Sequence, residues 1–304
     1  MSAIMYFIGV TTGQSSMMKI FPRWMDILGV EARLVGIDLP PGAPAADYRA
    51  VVARIKDEPE TRGALVTTHK IGVYAAARDL FDAFDPYAQI CEEVSAIYKR
   101  EGRLIGGAVD PISSGLAWRA FIPDDHWARN EAEVLCFGGG GAAIAISTYA
   151  ASLPPASRPR RFTLTDIAPD RLDHARTIHA RLHTDLPFEY VLNGDPAVND
   201  ARMAALPPGS LVINATGMGK DRPGSPITDA GVFPQGGFAW EINYRGALDF
   251  LHQAERQRAE RALTVEDGWI YFVHGWAQVV ARVFDSELTP EIFARLDQAA
   301  RDNR

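Results

Sequence analysis

The sequence predicts an α/β protein of two domains, one of them a dinucleotide-binding fold. Short apolar runs alternate with longer segments of helical period through most of the chain. From Glu133 the texture changes to a strand, a glycine-rich turn and a helix of small residues. A last helical pattern over 267–284, rich in aromatic residues, is long enough to pack back on the first domain. The length of 304 residues supports two domains, each able to bury a core.

In chain order, "MYFIGV" (5–10), "ARLVGIDL" (32–39) and "ALVTT" (64–68) are the first strands. Ser16 to Leu28 and Ala46 to Ile55 have helical apolar spacing between them. The run 93–109 reads as a hairpin turning at Glu101-Gly102. In the second half "VLCF", "RRFTLTDI" (160–167), "SLVINAT" (210–216) and "GFAWEINY" (237–244) are strands. Pro154-Pro155 and Pro207-Pro208-Gly209 punctuate the joins.

Hydrophobic residues at 47% and charged residues at 23% describe an ordinary globular chain. The net charge of −7 gives no basic stripe, which argues against nucleic acid as a partner. The short cluster Arg158-Pro159-Arg160-Arg161 reads as a solvated loop before a strand. Two cysteines, Cys91 and Cys136, form no disulfide framework, and Cys136 reads as a small buried hydrophobe. With no secretory pattern and no apolar run of spanning length, the expected location is the cytoplasm, with no membrane partner.

Gly138-Gly139-Gly140-Gly141-Ala142-Ala143 is the strongest local signal. Gly138 would allow the sharp turn and Gly140 the approach of a pyrophosphate, while Ala143 keeps the helix close to the strand. Gly141 and Ala142 open that helix, whose unpaired N–H groups suit phosphate. Asp166 ends the next strand, where a carboxylate can accept from both ribose hydroxyls and repel a 2′-phosphate. This favours NAD over NADP, although Arg171, Arg160 and Arg161 are near enough in sequence to reach a phosphate. Asp166 could instead be a helix N-cap. "NATGMG", with Asn214, Ala215, Thr216, Gly217 and Met218, follows another strand and is placed to border the nicotinamide.

Lys70, in "GALVTTHKIG", ends an apolar run; by itself it reads as a solvated residue. The order of the segments changes that. "FIGVTTGQSSMMKIFPRW", "GALVTTHK", "GRLIGGAVDPISSG", "GGGGAA", "INATGMG", "NYRGALDFLHQA" and "DGWIYFVHGWA" together resemble the shikimate/quinate dehydrogenase family, from Phe7 to Phe284. The resemblance implies a discontinuous substrate domain, 1–110 with 267–304, and a Rossmann domain inserted at 111–266. It makes Lys70 and Asp110 the catalytic pair. It places Ser15, Thr67, Ser95 and Tyr244 around the substrate, with Met17 and Trp276 as walls.

Several positions depart from the family pattern. Met17 stands for a second carboxylate-binding serine, Leu65 for an asparagine, Ala108-Val109 for Asn-Thr, and Gly275 for a glutamine. With Met17, Trp269, Tyr271 and Trp276 near the site, the expected pocket is more apolar and the substrate altered. His69, on a strand neighbour's opposite face, and His274 are expected to be structural, and Ser16 and Lys19 a solvated helix start. The implied activity is NAD(P)-dependent interconversion of an alcohol and a ketone on a small cyclic hydroxy acid or polyol, with no metal. The alternative is a nucleotide-binding sensor of the same fold. Monomer or homodimer is the expected state.

Overall fold

The computed structural model describes residues 2–220 and 222–303. The chain divides into Met1–Asp110 with Val273–Arg304, and Pro111–Phe272. The second division falls at 273 rather than 267, inside a helix.

The first unit contains β1 (Ala3–Gly9), α1 (Met17–Leu28), β2 (Ala32–Asp38), α2 (Ala45–Asp57), β3 (Thr61–Val66), α3 (Lys70–Ala77), β4 (Ala83–Phe84), α4 (Pro86–Cys91), β5 (Ala96–Arg100) and β6 (Arg103–Gly107). Its sheet has the order β2-β1-β3-β5-β6-β4. β1 lies parallel to β2 and β3, whereas β5 is antiparallel to β3 and β6. The hairpin turns where expected, with Glu101 and Gly102 both at positive φ, 50° and 76°. Tyr6, Ile8, Val52, Ile55, Val66 and Ile97 build the core. Pro22 inside α1 removes one helical hydrogen bond, but Met17, Ile20, Phe21, Trp24 and Met25 form a buried stripe that holds the helix.

The second unit contains most of α5 (Asp110–Phe121), α6 (His126–Arg129), β7 (Val134–Phe137), α7 (Gly141–Ser152), β8 (Phe162–Asp166), α8 (Pro169–His179), β9 (Phe188–Leu192), α9 (Pro196–Ala204), β10 (Leu211–Asn214), β11 (Phe238–Glu241), α10 (Asp249–Gln257) and β12 (Thr264–Glu266). All six strands are parallel, in the order β12-β11-β10-β7-β8-β9. The order reverses beside β7, which creates the switch point where such sheets bind ligands. β7 and β10 are buried on both faces, which explains their unbroken apolar runs. Cys136 is fully buried there, and burial pushes its thiol far up.

α11 (Trp269–Phe284) begins in the second unit and ends in the first, and α12 (Pro290–Arg301) follows in the first. Trp24 donates its indole N–H to Leu296 O of α12 at 2.9 Å, which ties α1 to the returning chain. No helix of the described residues is long and apolar enough to cross a membrane.

Candidate functional site

β3 stops at Val66, two residues before the expected end. Thr67 and Thr68 turn the chain, His69 occupies the cap position, and Lys70 is the first residue of α3. His69 is therefore not on a strand, yet it is structural. It is buried, with Nε2 at 3.2 Å from Gly9 O and 3.0 Å from Leu39 O. Both carbonyls only accept, so Nε2 carries the hydrogen and Nδ1 accepts the Tyr48 hydroxyl at 3.0 Å. The imidazole ties the ends of β1 and β2 to the start of α3. Thr67 closes the same corner, its N–H donating to Ile8 O at 3.0 Å and its hydroxyl at 3.2 Å.

Lys70 Nζ donates to Asp110 Oδ2 across forty residues of sequence. Both side chains are largely but not wholly covered, at 23% and 13% exposure, so the pair is shielded and still reachable. Asp110 opens α5, which explains why its own context resembles a helix start. A second acid sits in this cluster. Glu93 is 5% exposed, and burial pushes its carboxyl up to about 8; Lys70 lowers it, while Asp110 and Asp85 raise it further.

The residues expected to read substrate divide. Ser15 is half-buried at the entrance to α1, its Oγ accepting the Met17 N–H at 3.3 Å. Ser95 is buried, and its Oγ accepts the Val109 N–H at 2.8 Å, so it braces the residue before Asp110. Met17 is fully buried, and Trp276 is 5% exposed with its ring edge-on to Phe7 at 4.8 Å. Both are closely packed against their neighbours. Leu65, Ala108 and Val109 are buried in the same way. Tyr244 belongs to the second unit, half-buried against Phe272 at 4.4 Å and Trp269 at 5.8 Å.

In the second unit Gly138 has φ +108°, and a Cβ there would lie 2.6 Å from Ala215 O. Glycine is demanded by the close passage of the 214–218 loop as much as by the turn. A Cβ at Gly140 would meet nothing within 4 Å, since it would project into open space beside the start of α7. Gly141 is exposed there, Ala142 half-buried and Ala143 buried. The first amides of α7 have no intrahelical acceptor. This open cradle suits a pyrophosphate.

Asp166 is 6% exposed, and its oxygens face inward. Oδ2 accepts the Gly139 N–H at 2.7 Å and Oδ1 the Ala168 N–H at 2.9 Å, just ahead of α8. Asp166 is not the N-cap of α8, a position that Ala168 holds. A pocket beyond the carboxyl ends of β8, β9 and β10 is lined by Thr165, Asp166, Arg171, Asn193, Thr216 and Arg222, among others. Arg171 lies 3.7 Å from Asp166. Arg160 and Arg161 precede β8, paired with Glu131 and Glu133, so the strand's length separates them from Asp166.

Asn214 is fully buried and holds its own loop. Its Oδ1 accepts the Thr216 N–H at 3.2 Å and hydroxyl at 2.7 Å, and Met218 N–H donates to Thr216 Oγ1 at 3.1 Å. Ala215 N–H donates to Phe137 O at 2.7 Å, and Gly217 supplies a left-handed turn at φ +76°. Beneath them, Glu241 Oε2 accepts Asn214 Nδ2 at 2.7 Å, and Oε1 accepts the Asn243 backbone and side-chain N–H groups. Burial pushes Glu241 up to about 7 despite these donors.

Sequence reasoning missed Glu93, Glu241 and Arg222. Glu241 had a signal, an acid ending the apolar run "GFAW". Glu93 is one of two adjacent glutamates, and nothing local distinguishes the buried one.

No family model matches this chain. It is 27% identical over 180 residues to the shikimate dehydrogenase (NADP(+)) of Streptococcus thermophilus, a match covering 59% of this chain and 59% of that protein. The solved quinate dehydrogenase of Corynebacterium glutamicum in complex with NAD superposes with a TM-score of 0.76 at 16% identity, over 99% of both chains. The chain is similar to these dehydrogenases in sequence over part of its length and in fold over nearly all of it. A 5-ketofructose reductase of Gluconobacter also shares this fold, with a TM-score of 0.69 at 16% identity over 99% of both chains.

Proposed function

We propose that this chain is an NAD(P)-dependent dehydrogenase interconverting a secondary alcohol and a ketone on a small, cyclic hydroxy acid or polyol. The observation that carries the reading is the Lys70–Asp110 pair, shielded yet reachable, in a chain whose other unit is a parallel sheet with a glycine cradle at its switch point. The first unit supplies the proton chemistry and the second holds the dinucleotide. Nicotinamide supplies or accepts the hydride when bound.

Lys70 takes the proton from the alcohol oxygen during oxidation and returns it during reduction. Asp110 holds the ammonium in place and favours its charged form. Thr67 and Ser15 offer hydroxyls near the start of α3 and α1, Ser95 fixes the backbone before Asp110, and Tyr244 offers a phenol from the second unit. Gly138, Gly140, Gly141 and Ala142 cradle the pyrophosphate, and Asn214 to Met218 border the nicotinamide.

Asp166 favours NAD, because its buried carboxylate adds negative charge where a 2′-phosphate would sit. Buried apolar side chains at Met17, Leu65, Ala108 and Val109 leave fewer groups to read an acid or ring hydroxyls, each worth ~1–3 kcal/mol, so shikimate itself binds poorly. The same substitutions favour the second reading, a cytoplasmic nucleotide sensor without turnover. The expected partner in either case is a small molecule, with the chain acting as monomer or homodimer.

A screen of cyclic polyols and hydroxy acids, reading nicotinamide reduction with NAD and with NADP, tests the proposal. Turnover that Lys70→Ala abolishes while nucleotide binding persists supports it. Nucleotide binding with no turnover across the panel selects the sensor, and ordinary family turnover of shikimate overturns the altered-substrate reading.

A further inference from the structure

The Lys70–Asp110 pair has two further acids in its cluster, with the Arg282 guanidinium acting on the first of them. These acids are Asp85 and Glu93. Asp85 precedes α4 and spends both oxygens on backbone amides: Oδ1 accepts the Ala88 N–H at 2.7 Å, and both accept the Ala108 N–H at 3.2 Å. Asp110 spends its charge on Lys70. The Glu93 carboxyl makes no hydrogen bond among the described residues, although it is 5% exposed.

The backbone fixes Glu93 in this place. Val94 N–H donates to Lys70 O at 3.1 Å, and Ser95 N–H donates to Gly107 O at 2.9 Å. Ser95 Oγ accepts the Val109 N–H at 2.8 Å, and Val66 N–H donates to Ser95 O at 2.9 Å. Residues 93–95 are thus stitched to the backbone of Lys70 on one side and to the residue before Asp110 on the other. The charged groups acting on Glu93 are Lys70 at the start of α3, Asp110 at the start of α5 and Asp85 ahead of α4.

We propose that Glu93 is a positioning residue that sets the charge of Lys70, acting through space within this buried cluster. Three carboxylates face the Lys70 ammonium and, beside Asp85, the Arg282 guanidinium, which leaves one negative charge unbalanced in a largely covered cluster. The cheapest remedy is for one acid to keep its proton, and Glu93 is the acid without hydrogen-bond donors. Neutral Glu93 adds no second negative charge beside Lys70, so the ammonium can release its proton. Once Glu93 ionises, a second negative charge holds Lys70 as the ammonium. In the proposed dehydrogenase, on which the catalytic meaning rests, this withholds the free amine that alcohol oxidation needs just as rising pH would otherwise supply it.

Lysine-selective acylation with limiting reagent, from about pH 7 to about pH 10 and mapped by peptide mass spectrometry, reads the free amine of Lys70 directly. It uses the full chain, with exposed Lys19 as internal standard. In Glu93→Gln the labelling of Lys70 is expected to begin about one pH unit lower than in wild type. Glu93→Asp is expected to restore the wild-type midpoint. A purely structural glutamate would leave the Lys70 midpoint where it is, and that result in a folded Glu93→Gln chain overturns the proposal.

If Glu93→Gln does not fold, infrared titration of the wild-type chain decides instead. A buried protonated carboxyl band that persists at neutral pH and is lost on alkaline titration supports the inference, and absence of any such band refutes it. Neither readout needs a substrate. A shifted Lys70 midpoint in a chain without turnover defeats the dehydrogenase reading alone, whereas turnover with an unmoved midpoint defeats the role of Glu93 alone.

Discussion

Asp166 holds Gly139. The carboxylate at the end of β8 accepts the amide of the second glycine in the turn at 2.7 Å, and it lies almost wholly out of solvent. The residue that a sequence motif assigns to ribose thus also builds the glycine turn. A carboxylate offers about four acceptor sites, so two amide bonds leave room for a ribose hydroxyl.

Asp166→Ala is therefore expected to harm the turn itself. Removing the carboxylate leaves the Gly139 and Ala168 amides without acceptors, at about 1–3 kcal/mol for each buried group. Thermal stability and NAD affinity should fall together, and NADP affinity should fall less, because the repulsion of its 2′-phosphate is lost with the carboxylate. A variant that keeps full stability while switching preference to NADP would show that Asp166 acts on ribose alone.

Gly138→Ala is expected to damage nucleotide binding from the other side of the loop. The backbone there is at φ +108°, and the new methyl would press on Ala215 O. The strain displaces the 214–218 loop or lowers stability, in either case by more than about 1 kcal/mol. Gly140→Ala meets no protein atom within 4 Å, so its folded stability should be nearly unchanged while dinucleotide affinity drops. Calorimetric titration with NAD, beside thermal melts of both variants, separates the two glycines.

The buried acids give stability a pH dependence. Burial raises Glu93 to about 8 and Glu241 to about 7, against 4.5 for an ordinary glutamate. Each folded unit keeps a proton that its unfolded chain releases, so the stability held below 4.5 is lost as pH rises through those values. His179 works oppositely: burial lowers it from 6.5 to about 4, so its contribution is complete above 6.5 and lost as pH falls through 4. Between 6.5 and 8 these two glutamates act without His179 opposing them. Melting temperature should therefore decline over that window, and Glu93→Gln should flatten the part belonging to the first unit. A rising or level profile would contradict the assignment.

How much of this was readable in the sequence depended on how local each cause was. The strand, turn and helix around Gly138 and the hairpin at Glu101-Gly102 are determined by neighbours, and both appear where the residues place them. β9 and β12 escaped notice because edge strands are half-exposed, and "FEYVL" and "TVE" carry no continuous apolar run. The pairing of Lys70 with Asp110 came from resemblance, since no spacing rule links residues forty apart. Sequence gives Met17 and Trp276 apolarity without direction, and the structure buries both.

Glu241→Gln tests how firmly the 214–218 loop must be held for the proposed nucleotide binding. Both carboxylate oxygens accept, one from Asn214 Nδ2 and the other from two N–H groups of Asn243. A glutamine amide would point an NH₂ at one of these donors. Asn214 cannot turn its own oxygen toward it without abandoning the Thr216 amide and hydroxyl. Asn243 cannot accept through its backbone nitrogen at all. One buried donor is therefore left facing another, at a cost of about 1–3 kcal/mol. The substitution is nearly isosteric, so the expected result is a lower melting temperature and weaker dinucleotide binding, with Lys70 labelling in the first unit unchanged. Undiminished affinity for both NAD and NADP would mean that the Asn214–Met218 loop does not depend on Glu241 for its shape.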